Sequence, residues 1–219
     1  MQLDQNHILN QLTLTMGSFI EEVNQLETIQ LSDYNGKDTI IVMIDMINGF
    51  CKFGPLSSDF VNQMVPKMAT FLDQAISMSI PIISYRDAHP ENAKEFNFFP
   101  QHCLAGTSES DLVDELMRPE LIDVTKNSTN GFLAQNPLDL VDGPAIKHVI
   151  VIGCVTDICV RDFTGTFIKH LQQINQETQV LLIENLVDTF HIESIHDRQV
   201  EHMLALYQLK NAGVKLARI

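Results

Sequence analysis

Short runs of β-branched and aliphatic residues recur along the chain, and each is separated from the next by a stretch with apolar residues at helical spacing. The run TIIVMID does not alternate with polar residues, which is typical of a strand buried on both faces of a parallel sheet. The predicted strands are TIIVMID (39–45), PIISYRD (81–87), LIDVT (121–125), HVIVIG (148–153), TQVLLIE (178–184) and VKLARI (214–219). Helices are predicted at 59–79, 109–117, 157–174 and 194–211. This alternation predicts an α/β fold, a three-layer αβα sandwich with a mainly parallel central sheet.

The first 38 residues differ from the rest because they contain a helical pattern and no strand. Their apolar residues recur at helical spacing until Tyr34, Asn35 and Gly36 interrupt the pattern. We therefore divide the chain into an N-terminal helical extension, residues 1–38, and one domain, residues 39–219. A length of 219 residues is sufficient for one such domain with a well-buried core.

Charge and composition exclude some classes of partner. The formal net charge is −14, which disfavours binding to nucleic acid or to an anionic membrane and favours a small-molecule partner. No apolar run has the length of a membrane span, and the N-terminus does not have the pattern of a secretory signal. We therefore expect a cytoplasmic protein whose four cysteines are free thiols.

Four side chains with chemical potential stand at or just after predicted strands. They are Asp45, Asp87, Lys126 and Cys159. The carboxyl ends of parallel strands meet at one edge of a sheet, so these side chains are expected to converge in one crevice. Taken singly, Asp45 could cap the following helix and Lys126 could be a solvated loop residue.

Cys159 is expected in the first turn of a helix, where free amide groups and the helix dipole lower the pKa of a thiol. Asp45 could take the proton of this thiol, and Lys126 could favour both the carboxylate and the thiolate. The alternative is that Cys159 is a small buried residue that packs the helix on the sheet, which is how we interpret Cys154.

A second group of polar residues lies within RDAHPENAKEFNFFPQHC. Two carboxylates and two imidazoles there suit a divalent metal such as zinc, iron or manganese, with water completing the shell. These residues are Asp87, His89, Glu95 and His102. The alternative is a polar surface loop with two histidines, since the spacing alone has little specificity.

Four segments occur in the same order as in a known family: IVMIDMINGFC, RDAHP with PQHCLAGT, KNSTNGF and GCVTDICV. Through them, residues 39–219 resemble the nicotinamidase branch of the isochorismatase-like cysteine hydrolases. The resemblance implies that Asp45, Lys126 and Cys159 form a catalytic triad that hydrolyses an amide through a thioester. It also implies oxyanion amides at Val155 and Cys159, and a non-proline cis peptide between Val155 and Thr156.

The same resemblance has implications for the ligands. It implies a divalent metal, zinc first with iron or manganese as alternatives, on Asp87, His89, Glu95 and His102. The metal would bind the pyridine nitrogen of nicotinamide, Phe50 would stack against its ring, and Val155 and Thr156 would be further substrate-binding residues. The expected reaction yields nicotinate and ammonia, within NAD salvage, in a homo-oligomeric protein.

One part of the sequence departs from the family pattern. After Lys126, the family commonly has an aromatic residue followed by SAF, whereas this chain has Thr129, Asn130, Gly131 and Phe132. This difference leaves open a hydrolase for another small amide or a ureido compound. Two further alternatives are a noncatalytic binding scaffold, which the intact triad argues against, and a thiol redox pair, which the spacing of Cys154 and Cys159 disfavours.

Overall fold

A computed structural model describes residues 3–141 and 146–219 of the chain. In these ranges, one sheet of six strands forms the centre of the fold, and all neighbouring strands are parallel. The strands are β1 (Thr39–Ile44), β2 (Ile82–Asp87), β3 (Ile122–Lys126), β4 (His148–Cys154), β5 (Gln179–Asp188) and β6 (Lys215–Ala217). Their order across the sheet is β3-β2-β1-β4-β5-β6.

Helices cover both faces of this sheet. They are α1 (Gln5–Asn24), α2 (Asn48–Cys51), α3 (Asp59–Asn62), α4 (Val65–Ser77), α5 (Arg161–Ile174) and α6 (Arg198–Ala212), with a π-helix at Thr156–Val160. Single 3-10 turns occur at Leu31–Asp33, Lys94–Asn97, Ser108–Ser110, Asp114–Leu116, Gly131–Leu133 and Pro137–Leu140. None of the helices in the described ranges is both long enough and apolar enough to cross a membrane.

Strand β1 shows why its sequence is apolar at every position. Ile41 and Met43 pack into one core together with residues of α4, while Ile40, Val42 and Ile44 pack into a second core with residues of α5 and α6. Burial on both faces removes the need for alternation. The predicted three-layer α/β fold is confirmed.

Helix α1 packs against α6 on the second face of the sheet. Phe19 and Val23 are buried, and the ring of Phe19 meets the ring of Tyr207 edge-on at 5.3 Å. Lys210 forms an ion pair with Glu22. The remainder of the predicted extension includes residues 1 and 2, which lie outside the described ranges, and the division at residue 38 stays a prediction.

Two predicted helices differ from the structure. The segment predicted as a helix at 109–117 forms only 3-10 turns, because its backbone bonds to the loop after β1: the amide of Asn48 donates to Asp111, and the amide of Val113 donates to Met46. The segment predicted as one helix at 59–79 is divided into α3 and α4. Pro66 lies at the start of α4, where its missing N–H costs nothing.

The centre of the sheet is a topological switch point. From β1 the chain continues to β2 on one side, and β4 lies on the other side of β1 and continues to β5. Ligands in open parallel sheets bind outside the carboxyl ends of the strands at such a point. The loops after β1 and β4 are therefore the expected position of a functional site.

Candidate active site

The four strand-end residues lie together at this switch point. The Lys126 Nζ atom is 2.8 Å from an oxygen of Asp45 and 2.5 Å from an oxygen of Asp87. The same Nζ atom is 3.8 Å from the Sγ atom of Cys159. Asp45, Asp87, Lys126 and Cys159 are all buried. The structure thus brings the predicted triad together and adds Asp87 as a second partner of the lysine.

Backbone contacts hold Asp45 in place. The residue directly follows β1 and has a positive φ of 53°. Its amide donates to the carbonyl of Tyr85, and its Oδ1 atom accepts a hydrogen bond from the amide of Asp87 at 2.9 Å. The Cys154 thiol donates to the carbonyl of Asp45 at 3.0 Å. Cys154 therefore has a structural contact, in agreement with its interpretation as a packing residue.

Burial determines the protonation of the triad. It raises the pKa of Asp45 to about 7, with a further contribution from the carboxylate of Asp87, while Lys126 acts in the opposite direction. Burial also raises the pKa of the Cys159 thiol well above its usual range, and Lys126 offsets this only in part. The expected lowering of both pKa values is therefore wrong. The cause is the removal of both groups from water, which outweighs the nearby cation.

The other two charged groups of the site remain ionised. Burial alone would raise the pKa of Asp87, but Lys126 and His89 outweigh it and hold this pKa below its usual value. Burial would lower the pKa of Lys126, but the carboxylates of Asp45 and Asp87 outweigh it and raise this pKa well above its usual value. A stable ammonium group thus lies beside the thiol.

A tight turn after β4 presents Cys159. The peptide bond between Cys154 and Val155 is cis, one residue earlier than expected, because β4 extends through Cys154 and the turn starts directly after it. The turn leads into the π-helix, in which the amide of Val160 donates to the carbonyl of Val155 at 3.2 Å. Cys159 is the fourth residue of this helix.

A metal-binding geometry lies beside the triad. One possible ligand atom from each of Asp87, His89, Glu95 and His102 falls within 4.8 Å of the others. The Nε2 atom of His89 is 3.5 Å from Asp87 Oδ2, and both of these atoms are buried without a hydrogen-bond partner. The Nε2 atom of His102 is 3.9 Å from Glu95 Oε1.

Hydrogen bonds at the far side of each imidazole ring orient the two histidines. The Nδ1 atom of His89 is 2.9 Å from Asn127 Oδ1, and the Nδ1 atom of His102 is 2.8 Å from the carbonyl of Pro100. These partners accept hydrogen bonds, so the neutral rings carry the proton on Nδ1 and direct the lone pair of Nε2 into the cluster. The donor set and these buried unpartnered atoms fit a divalent cation.

One small cavity of about 30 Å³ connects the two groups of residues. Its wall includes Cys159 from the triad and Asp87, Glu95 and His102 from the metal-binding cluster. Its other lining residues are Phe50, Leu56, Phe99, Thr129, Val155, Ile158 and Phe190.

Two of the predicted substrate-binding residues line this cavity and one does not. Phe50 and Val155 are in its wall, whereas the Thr156 hydroxyl is buried against the Nδ1 atom of His202 at 3.0 Å. Phe99 and Phe190 were not predicted. Phe190 comes two residues after the end of β5, so the strand-end argument used for the charged residues could have found it.

The unusual segment after Lys126 is fixed against α5. The Thr129 hydroxyl donates to Asp162 at 2.7 Å, and the Asn130 amide donates to Thr166 at 2.7 Å. A Cβ atom at Gly131 would be 2.8 Å from the ring of Tyr85, which explains a glycine at this position. Thr129 is thereby held in the wall of the cavity.

Fold and site together define an α/β protein with a buried group of Asp, Lys and Cys at the carboxyl edge of its sheet. The Isochorismatase domain matches residues 39–214, and the chain belongs to the isochorismatase family. The predicted family is therefore confirmed.

Known relatives agree with this assignment. The chain is 26% identical over 205 residues to Nicotinamidase 1 of Arabidopsis thaliana, covering 80% of this chain and 84% of the relative. Its fold is similar to that of a Pyrococcus horikoshii pyrazinamidase solved in complex with zinc (TM-score 0.69, 21% identity, 83% and 99% of the two chains). It is also similar to that of an N-carbamoylsarcosine amidase from Thermoplasma acidophilum (TM-score 0.66, 20% identity, 83% and 96%).

Proposed function

We propose that this protein is a metal-dependent cysteine amidohydrolase that converts nicotinamide to nicotinate and ammonia. The observation that carries the proposal is the shared cavity, because the Cys159 thiol and three residues of the metal-binding cluster line the same small space. The similarity to a plant nicotinamidase supports the choice of substrate.

In the first half of the reaction, Cys159 attacks the amide carbon. Asp45, whose pKa is raised to about 7 by burial, accepts the thiol proton as the Sγ atom forms its bond to carbon. The backbone amides of Val155 and Cys159 donate to the oxygen that becomes negative. Asp45 then returns the proton to the nitrogen, the C–N bond breaks, and ammonia leaves a thioester on Cys159.

In the second half, water cleaves the thioester. Asp45 accepts a proton from the water as its oxygen bonds to the carbonyl carbon, and the C–S bond breaks. The sulfur leaves as a thiolate beside the Lys126 ammonium group, whose Nζ atom lies 3.8 Å from it. The proton on Asp45 then returns to the sulfur, which restores the neutral thiol that burial favours.

The remaining residues of the cavity bind and orient the substrate. Asp87, His89, Glu95 and His102 would hold a divalent metal, zinc first, which supplies a Lewis acid for the ring nitrogen of nicotinamide. Phe50, Phe99 and Phe190 supply aromatic walls for a flat ring. Correct orientation places the carboxamide near the thiol and lowers the entropic part of the barrier.

Ammonia release from nicotinamide tests this proposal. We expect turnover by the zinc-loaded protein, complete loss in Cys159→Ala, and strong loss after chelation with recovery on adding zinc. Cys51→Ala is the matched control, since Cys51 is also buried but does not line the cavity. Turnover that persists in Cys159→Ala would contradict the assigned nucleophile, and its absence in the zinc-loaded wild type would exclude nicotinamide.

A second candidate is the hydrolysis of another small amide or a ureido compound. The observation that favours it is Thr129, which departs from the family pattern and lines the cavity. An N-carbamoylsarcosine amidase shares the fold. Comparing kcat/KM for nicotinamide, pyrazinamide and N-carbamoylsarcosine separates the two candidates.

A further inference from the structure

A half-buried histidine joins the nucleophile turn to one wall of the cavity. The Nε2 atom of His196 is 2.9 Å from Asp157 Oδ2, and its Nδ1 atom is 3.1 Å from the carbonyl of Phe190. Asp157 is the second residue of the π-helix that carries Cys159. His196 therefore bridges the segment of the nucleophile and the segment of Phe190.

The same histidine also supports the Phe190 ring directly. The two rings are stacked, with centroids 3.9 Å apart and an angle of 16° between their planes. Phe190 lines the cavity together with Cys159. The imidazole lies behind the phenyl ring and limits its movement away from the cavity.

The two nitrogens of His196 face oxygen atoms of two different segments. One is a carboxyl oxygen of Asp157 and the other is the main-chain carbonyl oxygen of Phe190. The ring therefore has one polar contact on each side. The carboxylate of Glu201, from the first turn of α6, belongs to the same cluster within 4.8 Å.

The loop that carries Phe190 and His196 is closed at its base. Arg198 donates two hydrogen bonds to the carboxylate of Asp188, at 2.7 and 2.6 Å, which joins the end of β5 to the start of α6. Within the loop, the backbones of Ile192 and His196 bond to each other in both directions. The main chain is thus constrained on both sides of His196.

We propose that the Asp157–His196 pair is a positioning device that holds Phe190 as the wall against which a planar aromatic amide is bound. This inference rests on the proposed function and extends it. It assigns specificity to residues outside the triad and the metal-binding cluster. His196 acts through Phe190 and is a positioning residue.

A double-mutant cycle for binding tests the inference separately from turnover. The probe is nicotinamide, and its dissociation constant is measured by calorimetry on zinc-loaded Cys159→Ser protein, which cannot turn it over. Loss of one aromatic contact corresponds to about tenfold weaker binding, so we expect this effect in Phe190→Ala. His196→Gln is expected to weaken binding several-fold, because Gln cannot stack on Phe190 and bond to both partners.

The decisive comparison is between the double variant and Phe190→Ala. If His196 acts through Phe190, the double variant that combines Phe190→Ala and His196→Gln binds nicotinamide no more weakly than Phe190→Ala alone. His191→Gln is the matched control, since His191 is in the same loop but its ring contacts Glu193 and the amide of Arg198 rather than Asp157, and it should leave binding unchanged. If His196→Gln does not fold, His196→Phe replaces it, because this variant keeps an aromatic ring and loses both hydrogen bonds.

The outcomes separate this inference from the proposed function. Additive losses in the double variant, or unchanged binding in His196→Gln, would overturn the positioning role. Failure of the Cys159→Ser protein to bind nicotinamide at all would also overturn it. Tight binding and a non-additive cycle, together with no ammonia release by the wild type, would support the inference and refute the proposed function.

Discussion

The substitution Gly153→Ala tests the arrangement of the switch point. Gly153 has a φ of +120° and pairs with Ile44 across β4 and β1. A Cβ atom there would lie 2.1 Å from the carbonyl oxygen of Ile44 and 2.6 Å from its nitrogen. Both atoms belong to the backbone of the central strand, so no side-chain rotation can relieve the overlap.

Two terms give the expected magnitude. A non-glycine residue at this φ costs about 1–3 kcal/mol, and overpacking of the interior costs about a further 1–3 kcal/mol. The free energy of unfolding should therefore fall by roughly 2–6 kcal/mol. For a chain of this length, each kcal/mol lowers the melting temperature by about 2–4 °C, so a decrease near 10 °C is expected.

Urea denaturation and thermal melting, both followed by circular dichroism, measure this effect. Gly165→Ala is the matched control, because Gly165 lies within α5 and a Cβ atom there meets nothing within 4 Å. The control should be unchanged or about 0.5–1 kcal/mol more stable. If Gly153→Ala folds, the variant should also lose ammonia release. The added Cβ atom pushes β1 and β4 apart, and Asp45 and the turn that carries Cys159 directly follow these two strands. A stability equal to that of the wild type would refute this account of the switch point.

Three further predictions concern charge, metal and pH. Lys126→Met leaves the buried carboxylates of Asp45 and Asp87 without their cation and should lower the free energy of unfolding by about 3–5 kcal/mol in urea denaturation. A loss under about 1 kcal/mol would contradict the assigned ion pairs of Lys126. Zinc at about 100 times its Kd should stabilise the protein by about 2.7 kcal/mol in thermal melts. His89→Ala should abolish this stabilisation, whereas the exposed control His7→Ala should keep it. Equal stabilisation by zinc in His89→Ala and in the wild type would exclude the cluster as a zinc site. Burial lowers the pKa of His202, so the native state binds fewer protons and stability should fall as the pH decreases below about 6.5. His202→Asn should reduce this dependence of the free energy of unfolding on pH. An equal dependence in the variant and the wild type would contradict the assignment of this effect to His202.

The fold could be predicted because its main signal is local. Strand β1 coincides with an apolar run, since burial on both faces requires apolar residues at every position. The convergence of Asp45, Asp87, Lys126 and Cys159 also follows from a general rule about parallel strands. These conclusions need only the order of elements along the chain.

Other features depend on contacts between distant segments. The stretch at 109–117 has a helical pattern, but its backbone groups bond to the loop after β1 instead. The position of Phe190 in the cavity depends on His196 and Asp157, which are separated by 39 residues. No local pattern reports these contacts.

The pKa of Cys159 shows how a correct location can accompany a wrong chemical inference. A helix start and a nearby lysine both favour a thiolate, but the burial that the fold imposes opposes them. In the structure, burial and the carboxylates of Asp45 and Asp87 together hold the thiol neutral. In the proposed reaction, the proton therefore leaves the thiol as the substrate is attacked. Asp45, with its pKa raised to about 7, is suited to accept that proton and to return it to the leaving amine within one cycle.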